Sequence, residues 1–355
     1  MLVSEKPKYR VLADVLSERI KEGDLKAGDR LPTFTEMYRE HGATATTVRR
    51  VYELLEKGNL IERRGGSGVY VADVKRSLTG NIGLLMNHNS QYDPYTRCLI
   101  AGIQAQAREY GLNILLVDGQ ETISDEKLDG LLMFCTELEV SLIKMPSHMP
   151  RVLLLTPATK LNITNVVTDD FGGAKLATEY LLSLGHRRIS CMLSTNRDAY
   201  SALRLAGYST ALGNAGIAFD EKLVRYVVTT PADLDAAPVN YIETAEECMQ
   251  QWLGEGWRNL NSTAILAPND LRAFGIMKAF AHEGIVVPRD VSVVGFDGVE
   301  NVHQKHSLTT VQVPLRQIGE RGVKLLWEQI QNKATQPEKI TLPGQLKLGE
   351  STLPI

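Results

Sequence analysis

The sequence is poor in the features that mark several protein classes. Its four cysteines, Cys98, Cys135, Cys191 and Cys248, stand far apart, with no C-x-x-C pair and no histidine at metal-ligand spacing. That argues against a zinc module or a disulfide scaffold and points to buried, reduced thiols. No run reaches the roughly 18 to 20 apolar residues of a membrane span. The N-terminal stretch M-L-V-S-E-K-P-K-Y-R has no apolar segment of signal-peptide length, so a cytoplasmic location without a membrane partner is expected. No phosphate-binding G-x-x-x-x-G-K-[ST] occurs, and no Ser, His and Asp fall at a recognisable catalytic spacing. An enzyme is disfavoured, and no cofactor or metal is implied.

Neither sign of charge dominates: the net charge is -3 over 355 residues, 23% of them charged. Disorder is excluded by 43% apolar residues, and the length suits two or three folded units. The average conceals an uneven distribution. Residues 1 to 76 hold 15 Lys or Arg against 12 Asp or Glu, whereas the other 279 hold 24 against 30. A basic head precedes an acidic body.

In the head, Tyr9, Leu12, Ala13, Leu16 and Ile20 recur at helical spacing, and Gly23 ends the run. Thr33 and Glu36 form a T-x-x-E capping box for a short helix that stops at Gly42. Thr44 can cap the next helix, whose Val48, Val51, Tyr52 and Leu55 share one face, leaving Thr46 and Arg50 opposite with Thr47 and Arg49 alongside. Two helices joined by a short glycine-containing turn make a helix-turn-helix. Leu60 to Arg64 and Val69 to Val71 then read as strands around Gly65-Gly66-Ser67-Gly68, adding a wing. The second helix would enter a major groove, and the wing would approach phosphates or the minor groove. The DNA-facing candidates are Thr33, Thr44, Thr46, Thr47, Arg49, Arg50, Arg63, Arg64, Gly65 and Gly66. The plain alternative is that these arginines are solvated surface charges.

After Lys75-Arg76-Ser77, short apolar runs alternate with amphipathic helices. Expected strands are Ile82 to Met86, Ile114 to Val117, Leu131 to Phe134, Val152 to Leu155, Val166 to Val167, Ile189 to Leu193, Leu223 to Val228, Thr263 to Leu266 and Val291 to Phe296. Strands buried on both faces imply parallel sheets covered by helices, and so many of them imply two doubly wound lobes. Polar residues follow several runs: Asn87-His88-Asn89, Asp169-Asp170, Asn269-Asp270 and Asp297. In such sheets, ligands collect at the carboxyl ends of strands. Asp270 reads as a helix N-cap, and Gly185-His186-Arg187-Arg188 as a helix C-terminus.

Two resemblances sharpen this reading. Y-R-V-L-A-D-V-L (9 to 16), I-K-E-G-D-L-K-A-G-D-R-L-P (20 to 32), T-T-V-R-R-V (46 to 51) and L-L-E-K-G-N-L-I-E-R-R-G-G-S-G-V-Y-V (54 to 71) resemble the GntR family of winged-helix regulators. Thr33-Phe34-Thr35 and Thr44-Ala45 depart from that family's usual S-E-R and S-R, which removes two arginines commonly aimed at DNA. D-D-F-G-G-A-K-L-A-T-E-Y-L-L-S-L-G-H-R-R-I (169 to 189), S-A-L-R-L-A-G-Y (201 to 208), S-T-A-I-L-A-P-N-D-L-R-A-F-G (262 to 275) and G-I-V-V-P-R-D-V-S-V-V-G-F-D (284 to 297) resemble the LacI/GalR regulator core.

Together they resemble a hybrid regulator of the arabinose-repressor kind. This implies a winged helix-turn-helix at 1 to 73, a linker at 74 to 80 and a two-lobed α/β core at 81 to 355. Lobe 1 would take about 81 to 168 and 312 to 340, and lobe 2 about 169 to 311 and 341 to 355. The resemblance implies that Arg204, Asp297 and Asn269 bind an effector, with Tyr95 and His88 as further candidates. The alternative for Arg204 is a pairing with a core carboxylate. The implied mechanism is a repressor of carbohydrate genes in which a sugar, or alternatively a purine, closes the lobes and re-places two heads of a homodimer on paired half-sites of operator DNA.

Overall fold

A computed structural model describes residues 7–21, 24–58, 60–65, 67–72, 78–86, 94–117, 122–194, 199–227, 240–299, 307–332 and 336–355. The chain divides into two compact units: Met1–Asn81 with Glu121–Asp129 and Ile143–Pro150, and Ile82–Gln120 with Gly130–Leu142 and Arg151–Ile355.

The first unit contains three helices, α1 (Lys8–Lys21), α2 (Phe34–His41) and α3 (Ala45–Lys57), and the hairpin β1 (Ile61–Arg64) and β2 (Gly68–Val71). The Glu36 N–H donates to Thr33 Oγ1 at 3.3 Å and the Glu36 carboxylate accepts the Thr33 N–H at 2.6 Å, a closed capping box. Gly42 ends α2 in the left-handed region at φ 58°, where a side chain would be strained. The Thr47 N–H donates to Thr44 Oγ1, which fixes the start of α3. Ala13, Leu16, Met37, Val48, Val51, Tyr52, Leu55, Ile61 and Val71 form the small core, with Tyr9, Leu12 and Ile20 against it. The wing has a further edge, because the Leu31 N–H donates to Val69 O at 2.9 Å and Arg30 bridges Tyr70. Past residue 77, the buried Asp129 carboxylate accepts the Thr79 and Gly80 N–H groups at 2.9 and 2.8 Å.

The second unit holds two six-stranded sheets. One is ordered β13-β7-β6-β5-β3-β4, from β3 (Asn81–Met86), β4 (Asn113–Val117), β5 (Gly130–Phe134), β6 (Arg151–Leu154), β7 (Thr164–Thr168) and β13 (Lys339–Leu342). The other is ordered β14-β12-β11-β10-β8-β9, from β8 (Ile189–Leu193), β9 (Val224–Tyr226), β10 (Ala264–Leu266), β11 (Ser292–Asp297), β12 (Thr309–Gln312) and β14 (Gln345–Lys347). The chain passes from the first sheet to the second after β7, returns after β12, and crosses once more between β13 and β14. Residues 345–355 then tie into the second lobe: the Val293 N–H donates to Ser351 O at 2.8 Å and the Ile355 N–H to Leu184 O at 3.0 Å.

Helices cover the sheets in pairs. They are α4 (Pro94–Glu109), α5 (Glu137–Leu142), α6 (Asp170–Ser183), α7 (Ala199–Asn214), α8 (Tyr241–Gly254), α9 (Asp270–His282) and α10 (Leu315–Ile330). Three pairs approach through glycine: a Cβ on Gly207 would lie 2.2 Å from Phe171 O, one on Gly275 would lie 2.1 Å from Ile242 O, and one on Gly102 of α4 would lie 2.0 Å from Arg316 O of α10. Only glycine allows α6–α7, α8–α9 and α4–α10 to pack that closely.

Several expectations need correction. Cys191 alone is fully buried; Cys135 and Cys248 are half-buried and Cys98 is exposed. Cys98 lies off the α4 stripe of Thr96, Leu99, Ile103 and Ala107 that faces the core. Strand β9 is shorter than expected because Leu223 belongs to a 3-10 turn, and Val228 lies outside the described residues. Strands β12, β13 and β14 were not expected, being short and threonine- or lysine-bearing. Asp270 is not an N-cap: Asn269 caps α9, its Oδ1 accepting the Arg272 N–H at 2.9 Å.

Candidate functional site

Strand order locates the core site. In one sheet the chain runs β3, then β4 outward, then β5 on the opposite side; in the other it runs β8, then β9 outward, then β10 on the opposite side. Each reversal opens a crevice at the carboxyl ends of the strands. Among the described residues, Phe134 ends β5, Leu193 ends β8 and Ser194 follows it, Pro268 and Asn269 follow β10, and Asp297 ends β11. All line one cavity of about 270 Å³ together with Tyr95, Leu155, Tyr200, Ser201, Arg204, Tyr241 and Arg272.

Arg204 is held on three sides. Its Nε donates to Asp170 Oδ1 at 2.7 Å, its Nη1 donates to the Pro268 carbonyl, and its guanidinium carbon lies 3.7 Å from the Phe296 ring centroid. The Asp170 side chain is 1% exposed and that of Arg204 14%, so the pair is buried with one side on the pocket. Burial opposes the charge on Arg204, but Asp170 and Asp297 more than restore it, holding the guanidinium above its ordinary pKa. The core-carboxylate pairing and the pocket-lining position are therefore both realised.

Asp297 sits at φ 113° and Leu155 at φ 64°, so two non-glycine residues of the lining occupy a disfavoured backbone region. Such strain survives only where surrounding contacts impose it, and it clusters at ligand sites. The contacts at Asp297 come through Asp270, which accepts the Val299 N–H at 2.6 Å and the Thr310 hydroxyl at 2.5 Å. Its carboxylate occupies the space a Cβ on Gly295 would need, which accounts for glycine in V-G-F-D. Burial pushes Asp270 up to about 7, against these donors. Tyr95 is driven well above its ordinary range by burial, with Asp297 and Asp170 adding to it. Asn269 reaches the pocket while serving as the α9 cap. His88 lies outside the described residues.

His186 is structural, as its sequence context suggested. It is buried, with Nδ1 2.9 Å from Thr263 Oγ1 and Nε2 donating to Leu353 O at 3.1 Å. Burial lowers its pKa.

In the head, Thr46, Arg49 and Arg50 are exposed on α3, opposite the buried stripe. Arg50 lies over the Tyr9 ring. Thr33, Thr44 and Thr47 all take part in helix caps, with Thr44 Oγ1 and Thr47 Oγ1 2.9 Å apart. On the wing, Arg63 pairs with Glu56 at 3.2 Å and Arg64 with Glu62 at 2.8 Å, while Arg64 also covers the Tyr70 ring. Gly65 is exposed, and Gly66 lies outside the described residues.

Sequence reasoning placed Asp170 at a strand end without pairing it with Arg204, and missed Arg272, Tyr200 and Tyr241 in the core and Arg30 in the wing. The R-A-F-G segment, which repeats the spacing of R-L-A-G, was the available signal for Arg272. No helix among the described residues is long and apolar enough to cross a membrane.

Comparison with known proteins agrees with this architecture. Residues 8–71 match the gntR family of bacterial regulatory proteins, and residues 178–352 match a periplasmic binding protein-like domain. The chain is 27% identical over 344 residues to the HTH-type transcriptional repressor PurR of Escherichia coli O1:K1, covering 89% of this chain and 95% of that protein. The structure of the transcriptional regulator CelR with cellobiose superposes with a TM-score of 0.66 at 22% identity, covering 98% of this chain and all of that one. A LacI-family regulator from Enterococcus faecium, solved with ribose, gives 0.63 at 24% identity over 78% of this chain and 99% of that one. The chain is a DNA-binding transcription regulator, not an enzyme, that joins a GntR-family winged-helix head to a periplasmic-binding-protein-like effector core of the LacI type.

Proposed function

We propose that this regulator is a cytoplasmic repressor of carbohydrate-use genes whose operator affinity is set by a sugar in the Arg204–Asp297 pocket. Residues 1 to 73 supply the DNA-binding head, 74 to 80 the linker and 81 to 355 the effector core. The observation that carries the reading is the buried Arg204–Asp170 pair, which presents a fixed guanidinium beside Asp297 in a cavity at the ends of both sheets. A donor fork and a carboxylate acceptor suit the adjacent hydroxyls of a sugar. Cellobiose and ribose in the two structural neighbours agree with that chemistry.

In the head, Thr46, Thr47, Arg49 and Arg50 read the major groove, while the wing around Arg63, Arg64 and Gly65 meets the backbone, with Thr33 and Thr44 at the helix starts. One head makes few contacts, so the chain acts as a homodimer on half-sites one or more turns apart, about 34–36 Å per turn. Effector and operator are linked by a reciprocal coupling free energy.

The test is operator binding by fluorescence anisotropy with and without sugars. Arg204→Ala should remove the effector response while the head still binds operator; an undiminished response in that variant refutes the pocket assignment. A ligand at 100 times its dissociation constant should add about 2.7 kcal/mol of stability, enough to find it by thermal shift. The rings of Tyr95, Phe134, Tyr200 and Tyr241 in the lining support a second reading, a planar purine, which the same screen separates.

A further inference from the structure

The first helix of the helix-turn-helix carries two exposed aromatic side chains. Phe34 opens α2 and is 48% exposed, and Tyr38, one turn on, is 66% exposed. Four residues apart, they share a face of the helix, whereas Met37 is buried in the head core. The Phe34 ring is braced from behind. Its centroid lies 6.3 Å from that of Tyr52, a buried α3 residue whose hydroxyl donates to the Pro32 carbonyl. That contact fixes where the pair stands. Arg49 precedes Tyr52 by three residues and so lies on the same side of α3, where the buried stripe gives way to the exposed face. Phe34 therefore flanks α3 on the Arg49 side, beside the surface that carries Thr46, Arg49 and Arg50. In a helix-turn-helix the second helix enters the major groove and the first crosses the adjoining backbone, so a ring on this flank meets the wall of the groove.

The chemistry at the start of α2 works against an ionic contact there. The Glu36 carboxylate accepts the Thr33 N–H at 2.6 Å and the Thr33 hydroxyl at 2.8 Å, and these bonds hold its pKa below the usual carboxylate value. A fixed negative charge thus occupies the positive end of the helix, where a phosphate would otherwise be drawn. No lysine or arginine stands between Pro32 and Tyr38. The groups left to face DNA are the Phe34 ring, Thr35 and Tyr38, all exposed. The attraction is supplied by the rest of the head, whose 15 Lys or Arg outnumber 12 Asp or Glu over residues 1 to 76. The apolar group that DNA offers in the major groove is the 5-methyl of thymine.

We propose that Phe34 and Tyr38 form a non-ionic DNA contact, with the Phe34 ring packed on a thymine methyl at the edge of the major groove and the Tyr38 hydroxyl donating to a neighbouring phosphate. This rests on the reading of α3 as the helix that enters the groove. The pair then adds a preference for thymine beside the bases that α3 reads, at a place where the helix start offers no cation.

For the experiment, the full-length protein selects its preferred duplex from a random-sequence pool. Anisotropy then compares that duplex with copies in which each thymine in turn is replaced by deoxyuridine, which lacks only the methyl. At one position per half-site the wild type should lose about fourfold in affinity. Phe34→Ala should bind about tenfold more weakly and no longer respond to that replacement, and Phe34→Leu should recover part of both. The slope of log affinity against log salt should stay at the wild-type value in Phe34→Ala, because no charge is removed. Tyr38→Phe should cost about tenfold on every duplex. A merely structural Phe34 would weaken binding yet leave the response to deoxyuridine as in the wild type, which overturns the proposal, as does Phe34→Ala binding at full affinity. So does a shifted monomer–dimer equilibrium in sedimentation of Phe34→Ala and Tyr38→Ala with duplex affinity intact, since the pair would then cover a second copy of the chain. Loss of binding in Arg49→Ala and Arg50→Ala with the aromatic variants silent sinks this proposal alone, whereas full binding by all four variants sinks the reading of α3 too.

Discussion

The wing and the core pocket use their arginines in opposite ways. Arg63 and Arg64 are about half exposed, at 48 and 50%, and each rests against a neighbouring glutamate that water also reaches. In the core, Arg204 is 14% exposed and its partner Asp170 1%. Exposed pairs contribute little, about 0 to 1 kcal/mol, so a wing arginine can leave its glutamate for a phosphate at small cost. A buried guanidinium has no such freedom, and its geometry is fixed before any ligand arrives. On the proposed reading, a polyanion is met by many exchangeable charges, and a small effector by a few that cannot move.

The sharpest way to break this comparison is Asp170→Ala, which strands the Arg204 charge in the core. It should cost about 3–5 kcal/mol in denaturant melts, and a loss below 1 kcal/mol would show that the pair is not buried in the sense argued. Next comes Gly207→Ala, whose methyl meets the Phe171 carbonyl; about 1–3 kcal/mol should be lost, and the α6–α7 approach is misjudged if the variant melts with the wild type.

Asp270 gives a pH signature. Between the ordinary carboxylate value near 4 and about 7, the folded chain keeps a proton that the unfolded chain has released, so stability falls as pH rises through this window. Relative to Asp270→Asn, the wild type should lose up to about 1.4 kcal/mol per pH unit there, read from melts at pH 5, 6 and 7. In the head, Thr44→Ala should cost about 1 kcal/mol through the lost cap, followed by amide exchange in α3. Smallest in stability is Arg63→Ala, below about 1 kcal/mol, yet it should lower the slope of log affinity against log salt by about one on any DNA sequence. An unchanged slope would remove Arg63 from the phosphate-contacting set.

The two regions also differ in how far their sequences disclosed them. The head was legible almost to the residue, because its helices are short, amphipathic and closed by threonine caps that act within four residues. The central strands of the core were legible as apolar runs, whereas β12 to β14 take their identity from pairing with distant strands. The pocket was half readable. D-D and N-D each place two polar residues side by side, and in both the first caps a helix while the second turns inward: Asp169 accepts the Gly172 N–H, and Asp170 takes Arg204. Which of two adjacent residues caps is decided by the backbone leaving the strand, so the assignment of Asp270 fell one residue out. Arg272 looked like an ordinary polar position on a helix because its partners, Ser194 and Tyr241, are remote in sequence.

The segment from 339 to 355 supplies β13 to one lobe and β14, Ser351 and Ile355 to the other. During synthesis, at about 5–20 residues per second, the head has every strand and helix it needs once residue 71 has emerged, while neither lobe is complete until this last stretch has. The head's elements are therefore complete in the nascent chain while the two lobes still lack their last strands. A chain cut short at residue 338 would carry a head able to fold and two lobes each missing an edge strand.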